Sequence, residues 1–195
     1  LNGDGKKDVV VVDTRRVVWY ENPTWKRRTI IENKTRPDNV CIAAHDIDGD
    51  GRLDLALGAG WNGLASGDAR TLQWLRRGKT LDDPWTVHPI ADVPWVHRIH
   101  FADLEGKGKP ALVVAPLMGR KSTAANNWMD GSPVQLAAYR IPKDPTRDRW
   151  VPEVLDETRH VMHNFWPIPA ASARGLDVLT ASYEGVDRLT HSARG

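Results

Sequence analysis

Apolar residues in this chain come in short runs that recur in the same order. Val9 to Val12, Val17 to Tyr20, Leu72 to Leu75 and Leu136 to Tyr139 are compact apolar segments, and Leu53-Asp54-Leu55-Ala56-Leu57 alternates with the period of a strand. Dense Gly, Pro and Asp punctuation between these period-2 runs excludes stacked helical repeats. A second landmark repeats with them: Trp25, Trp85 and Trp150 each stand five residues before an aliphatic residue, at Ile30, Ile90 and Leu155, and are spaced 60 and 65 residues apart. Each unit therefore reads strand, acidic loop, strand, loop, strand, turn, strand. Four short strands per unit at this spacing predict an all-β fold, a β-propeller segment whose blades carry insertions. The blades fall at 1–36 (partial), 37–92, 93–160 and 161–195 (partial), cut from a ring of about seven or eight within the range of roughly four to eight known for the architecture.

The sharpest motif lies between two of the apolar runs, at Asp46-Ile47-Asp48-Gly49-Asp50-Gly51-Arg52-Leu53-Asp54. Hard cations with about six to eight oxygen ligands need several carboxylates converging on one point, and Gly49 and Gly51 let the backbone curl around such an ion. The spacing predicts a calcium loop with Asp46, Asp48, Asp50 and Asp54 as side-chain ligands and the Arg52 carbonyl between them. An EF-hand would carry Glu at the twelfth position, where Leu57 stands inside a strand pattern, so the loop joins two strands. The competing reading is a solvated acidic turn. Asn2, Asp4 and Asp8 overlay Asp48, Asp50 and Asp54, so the chain is expected to start inside a repeat and to be part of a longer protein. The motif then decays: Lys107 and Ala111 replace two ligands in the third unit, and the fourth keeps only Asp177. Those turns are expected to hold their shape without metal.

Composition narrows the partners. The 195 residues are 41% hydrophobic, ample for a buried core, and 27 basic against 25 acidic residues leave a net charge of only +2. No basic stripe is present, which argues against nucleic acid. No apolar run is long enough to span a bilayer and no signal peptide is evident, though a chain that starts in mid-motif says little about its leader. Cys41, the single cysteine, sits in an apolar run and reads as a buried inert thiol. The charged run from Lys26 to Arg28 reads as a solvated strand face.

The Asp46 to Asp54 motif, with its partial copy at Asn2 to Asp8, resembles the FG-GAP or VCBS repeat family, whose propeller blades carry an Asp-x-Asp-Gly-Asp-Gly-x-x-Asp calcium loop after the innermost strand. The segment Trp19-Tyr20-Glu21-Asn22-Pro23 with Trp25, together with histidines on the inner strands, looks like the propellers of carbohydrate-active members. Those include aldos-2-ulose (anhydrofructose) dehydratase and the rhamnose-glucuronate polysaccharide lyases. The resemblance implies a calcium-stabilised propeller in an extracellular or periplasmic setting, completed by the remaining blades of the full-length protein. It also implies carbohydrate or polysaccharide as partner, and carbon–oxygen lyase chemistry if the domain is an enzyme. The alternative it implies is a non-catalytic adhesion or protein-interaction module.

Register picks out the chemistry. If the strand before the calcium loop is the innermost, counting six residues back from the first ligand position gives Val40, His97 and His163 in successive blades, so both histidines are expected at the mouth of the central channel. The insertions at 58–70 and 116–133 follow the second strand and should rise from the same face. They carry Trp61, Asn62, Arg120 and Trp128, a mixture suited to stacking and hydrogen-bonding a sugar. Histidine exchanges protons near neutral pH, and an Arg neutralises a carboxylate or the charge that develops as an α-proton leaves. His97 or His163 is therefore the candidate base, Arg98 or Arg120 the charge stabiliser and Asn164 or Tyr183 the orienting group. Adjacent strand residues point to opposite sides, so His97 and Arg98 can share one ligand only where the strand has not yet begun. Each histidine has a structural alternative in which it bonds a neighbouring backbone, the preferred reading for His45 and His100. A metal held by His97 and His163 is a further option, but two ligands do not define a site. Trp25, Trp85 and Trp150 recur with the repeat and read as inter-blade packing.

Overall fold

The computed structural model describes residues 1–61, 70–171 and 174–190. They form four antiparallel sheets in chain order, the first three-stranded: β1 (Val9–Val12), β2 (Arg16–Glu21) and β3 (Lys26–Glu32). The second holds β4 (Cys41–His45), β5 (Asp54–Gly58), β6 (Leu72–Arg76) and β7 (Thr86–Ala91). The third holds β8 (Val96–Ala102), β9 (Ala111–Pro116), β10 (Leu136–Arg140) and β11 (Pro152–Asp156), and the fourth β12 (Met162–Pro169), β13 (Leu176–Ser182) and β14 (Gly185–Leu189). Within each sheet neighbours in sequence are neighbours in space. The first strands β4, β8 and β12 also pack side by side across sheets, which makes the assembly an arc of a propeller.

Period-2 alternation decides which sheet faces which. Leu55 and Leu57 join Val17 and Trp19 of sheet one, whereas Ala56 between them joins Ile99 and Leu112 of sheet three. On β9, Leu112 and Val114 face sheet two, while Val113 and Ala115 meet Met162, Phe165 and Val178 of sheet four. β5 and β9 are thus buried on both faces, and each fully buried Leu or Val there contributes about 1.5–3 kcal/mol of transfer free energy.

The aliphatic residues that follow the repeated Trp have a specific role. β2 pairs with β3 through Val17↔Ile31 and Val18↔Thr29, so Ile30 is left over. Ile90 and Leu155 are skipped in the same way on β7 and β11. Each is the extra residue of a β-bulge. The bulge interrupts alternation and lets consecutive residues such as Ile30 and Ile31 both enter the core between sheets one and two. Of the tryptophans themselves, Trp150 is 3% exposed between sheets two and three and Trp85 is half-buried between one and two. Trp25 departs from the packing role expected of it. It is 55% exposed, because it stands on sheet one, whose far side meets no other sheet among the described residues.

Candidate functional site

The acidic loop after β4 folds around its own carboxylates. Asp46 accepts the N–H groups of Asp50 (3.0 Å) and Gly51 (2.9 Å), Asp48 that of Asp50 (3.3 Å), and Asp50 that of Arg52 (2.9 Å). Gly49 and Gly51, at φ +73° and +85°, supply the left-handed turns this curl requires. As a result Asp46, Asp48 and Asp50 bring one carboxylate oxygen each to within 4.8 Å of one another. Three hard anionic oxygens converging on one point suit Ca²⁺. Of the other two expected ligands, Asp54 is not within that cluster. Asp54, 1% exposed, accepts the N–H groups of Arg77 (2.8 Å) and Ile47 (3.3 Å) and so ties the loop to the end of β6. Burial, reinforced by the charge of Asp48, pushes its carboxyl up to about 6. Arg52 meets the carboxylates through its N–H and its guanidinium, both on Asp50. The earlier copy keeps the frame: Asp4 N–H donates to Asn2, Lys6 N–H to Asp4, and Asn22 N–H to Asp8.

The loop after β8 has the same frame with other charges. Asp103 accepts the N–H groups of Lys107 (3.1 Å) and Gly108 (2.6 Å), as Asp46 does from Asp50 and Gly51. Glu105 is held by the Lys107 ammonium at 2.7 Å and by Arg140 at 2.6 Å, which keep its carboxyl at about 2. Arg140 closes β10 just as Arg76 closes β6, where it donates to Asp48 at 2.8 Å.

At the opposite end of the inner strands the structure brings His97 and His163 together, their ring centroids 5.1 Å apart. Two local features put them there. Asp38, Trp95 and Val161, each two residues before the register position, all have positive φ, so every inner strand enters from a left-handed turn. The strand then bulges: Val96 pairs with Pro116 and Arg98 with Ala115, while Met162 pairs with Ser182 and Asn164 with Ala181, leaving His97 and His163 as the extra residues. Val96 and Ile99 both belong to the core shared with sheet two, three positions apart on one face. Such spacing requires the two residues between them to share the other side. His97 and Arg98 therefore project together toward sheet four, and the opposition expected of adjacent strand residues does not apply.

Both ring nitrogens of His97 are buried without a hydrogen-bond partner among the described residues. Burial, then the charge of Arg98, then His163, push its pKa down to about 4, so it is neutral at pH 7. The Arg98 guanidinium donates to the His97 carbonyl at 3.1 Å. His163 and Asn164 are exposed, Asn164 accepting the N–H of Phe165 at 3.0 Å. Tyr183 is exposed on the β13–β14 turn and its N–H donates to Val161 at the same strand end. Among the described residues His100 has no backbone hydrogen-bond partner. Its ring meets the edges of Phe165 and Trp166 at 5.1 and 4.8 Å, while His45 packs on Phe101.

Of the residues expected to bind substrate, Trp61 and Trp128 are linked through a third ring, Trp95, at 5.0 and 5.6 Å. Trp95 is a residue the reading of the sequence passed over. It does not recur with the repeat and stands two residues before His97, where its carbonyl also accepts the N–H of Leu117 at the base of the 116–133 insertion. Arg120 is not with these rings but lines a cavity between sheets two and three. Asn62 lies outside the described residues.

Two families match this chain, the FG-GAP-like repeat over residues 1–57 and the β-propeller domain of aldos-2-ulose dehydratase over residues 69–194. Aldos-2-ulose dehydratase of Phanerodontia chrysosporium is 26% identical over 123 residues, covering 60% of this chain and 13% of that protein. The chain thus spans a small part of the length of the relative it matches.

Proposed function

Since the chain belongs to the aldos-2-ulose dehydratase β-propeller family, we propose that the strand end carrying His97, Arg98 and His163 binds a sugar and removes a proton from it in a lyase or dehydratase reaction. The observation that carries this reading is the pair of inner-strand bulges, which sets two histidines ring to ring and turns Arg98 to the same side. In such an elimination the proton leaves a carbon next to a carbonyl, its electron pair forms the new double bond, and the neighbouring hydroxyl departs as water after taking up a proton. A base must be unprotonated to start, and burial beside Arg98 keeps His97 in that state. His163, exposed beside it, is the group a substrate meets first. Arg98 offsets the negative charge that grows on the carbonyl oxygen as the proton leaves, and that charge in turn favours the protonated imidazole. The Trp61, Trp95 and Trp128 rings form an apolar wall at the same end, suited to the C–H face of a pyranose.

Calcium belongs to the other end of this scheme. The loop after each inner strand lies six residues from the histidine position, roughly 20 Å away at strand rise, so an ion held by Asp46, Asp48 and Asp50 fixes a blade and takes no part in the chemistry. A secreted setting, with abundant calcium and polysaccharide, accords with both ends.

The test is the full-length protein incubated with aldos-2-uloses and with uronate-containing polysaccharides, following the absorbance of the unsaturated product. His97→Gln and His163→Gln are each expected to lower turnover by about 10²–10⁴-fold. Wild-type turnover in the double variant, or no product from any of these sugars, defeats the enzymatic reading and leaves a non-catalytic module.

A further inference from the structure

A cavity of about 500 Å³ opens between the end of sheet two and the base of the 116–133 insertion of sheet three. It is separate from the histidine site. Val114, Ala137 and Tyr139, which line it, belong to the face of sheet three turned toward sheet two, whereas His97 and Arg98 project toward sheet four.

Its lining divides into two kinds of surface. Val93, Pro94 and Met118 offer an apolar floor. Around it stand groups of both charges and of both hydrogen-bonding senses: the guanidinium of Arg120, the phenol of Tyr139, the amide of Gln135 and the carboxylates of Asp92 and Glu157. Two of these are poised for a ligand. Arg120 is exposed, and its guanidinium has no ion-pair or hydrogen-bond partner among the described residues. Tyr139 is only 8% exposed, yet its hydroxyl also lacks a partner there. Both groups line the same cavity, and burial raises the Tyr139 pKa while the charge of Arg120 opposes this.

The rim is pre-formed. Ser132 N–H donates to the Arg120 carbonyl at 2.9 Å, pinching the two limbs of the insertion together. The glycines at the neck allow that approach: a Cβ at Gly119 would stand 1.5 Å from the Ser132 carbonyl oxygen, and one at Gly131 2.5 Å from that of Arg120. The cavity falls within the roughly 300–1,000 Å³ of small-molecule sites.

A purely anionic ligand would meet two carboxylates here and a cationic one would meet Arg120. Hydroxyl groups, which both donate and accept, match the mixed rim, and the C–H face of a sugar ring matches the floor. We propose that this cavity is a second, non-catalytic site for a neutral mono- or disaccharide, held by Arg120, Tyr139 and Gln135. It does not depend on the elimination chemistry assigned to the histidines.

The experiment is calorimetric titration of the full-length protein with glucose and maltose, and with glucuronate as the anionic comparison, in wild type, Arg120→Met, Tyr139→Phe and His97→Gln. Saturable binding of a neutral sugar that weakens at least tenfold in Arg120→Met, weakens in Tyr139→Phe and persists in His97→Gln supports the site. Tyr139→Phe keeps the packing of the ring, so its effect reads the hydroxyl alone. No saturable binding of either neutral sugar overturns the proposal, as does affinity unchanged by Arg120→Met, affinity lost in His97→Gln, or binding of glucuronate alone.

Discussion

Asp46 in sheet two and Asp103 in sheet three each accept the N–H groups of the residues four and five places on, so the two acidic loops share one backbone frame. What fills the frame differs. In sheet two, three carboxylates converge, with the flanking guanidiniums of Arg76 and Arg52 on two of them, while in sheet three the position of Asp50 is taken by Lys107, whose ammonium lies on Glu105. The sheet-three loop carries a compensating positive charge in the chain at that position, where the sheet-two loop has a third carboxylate. The difference teaches that the hydrogen-bonded frame goes with the first Asp and the glycines, and that the residues between them set how much negative charge the loop must balance.

The largest effect that would sharpen this contrast is calcium removal from the full-length protein. At a free concentration a hundredfold above Kd, the ion should contribute about 2.7 kcal/mol to unfolding free energy, read as a drop in Tm on chelation and lost in Asp50→Ala. A Tm indifferent to calcium breaks the comparison. Next, Asp50→Lys, which imitates sheet three, should raise the calcium-free Tm of that blade's transition relative to Asp50→Ala and abolish its calcium response.

Proton linkage should then run in opposite directions in the two loops. Asp54, raised to about 6 from 3.8, makes the native state bind more protons than the unfolded state in that window. In chelator its stabilisation is therefore full below about 3.8 and is lost as pH rises through about 6, a slope that Asp54→Asn should remove. Glu105, lowered from 4.5 to about 2, contributes stability that is full above 4.5 and lost as pH falls through about 2, and Glu105→Gln should flatten that limb. Melting curves from pH 3 to 7 for both variants against wild type test the signs. The smallest effect expected is that of Lys107→Ala: the Lys107 side chain is 65% exposed and Glu105 keeps Arg140, so Tm should barely move.

Much of this was readable from the chain. The acidic spacing, the period-2 runs and the repeated Trp sufficed for the propeller, and counting six residues back from the first ligand position of each unit picked out His97 and His163, which the fold brings ring to ring because equal counts along equivalent strands reach equal heights. What escaped the reading are departures from alternation. A bulge is set by how two strands share hydrogen bonds, and no single residue type marks it, so neither the cohabitation of His97 and Arg98 nor the reason for Ile30, Ile90 and Leu155 could be seen in advance. Trp95 was missed because it is unrepeated and sits in a turn whose left-handed φ favours glycine, so only the fold gives it a purpose. Arg120 was rightly placed on the insertion, but which side of the sheet the insertion leans over is decided by the neck between Gly119 and Gly131.

The inner-strand bulge also bears on how such a site could arise. β4 pairs with β5 without interruption, Cys41 opposite Gly58, and has no histidine at the mouth, whereas β8 and β12 each carry one surplus residue there. Because Val96 and Ile99, like Met162 and Phe165, keep their seats on either side of the surplus residues, the core between the sheets is unaffected by what the bulge displays. Gaining or losing a single codon at this point could switch a blade between plain scaffold and bearer of a functional side chain, so that reactivity can be distributed around the ring one blade at a time.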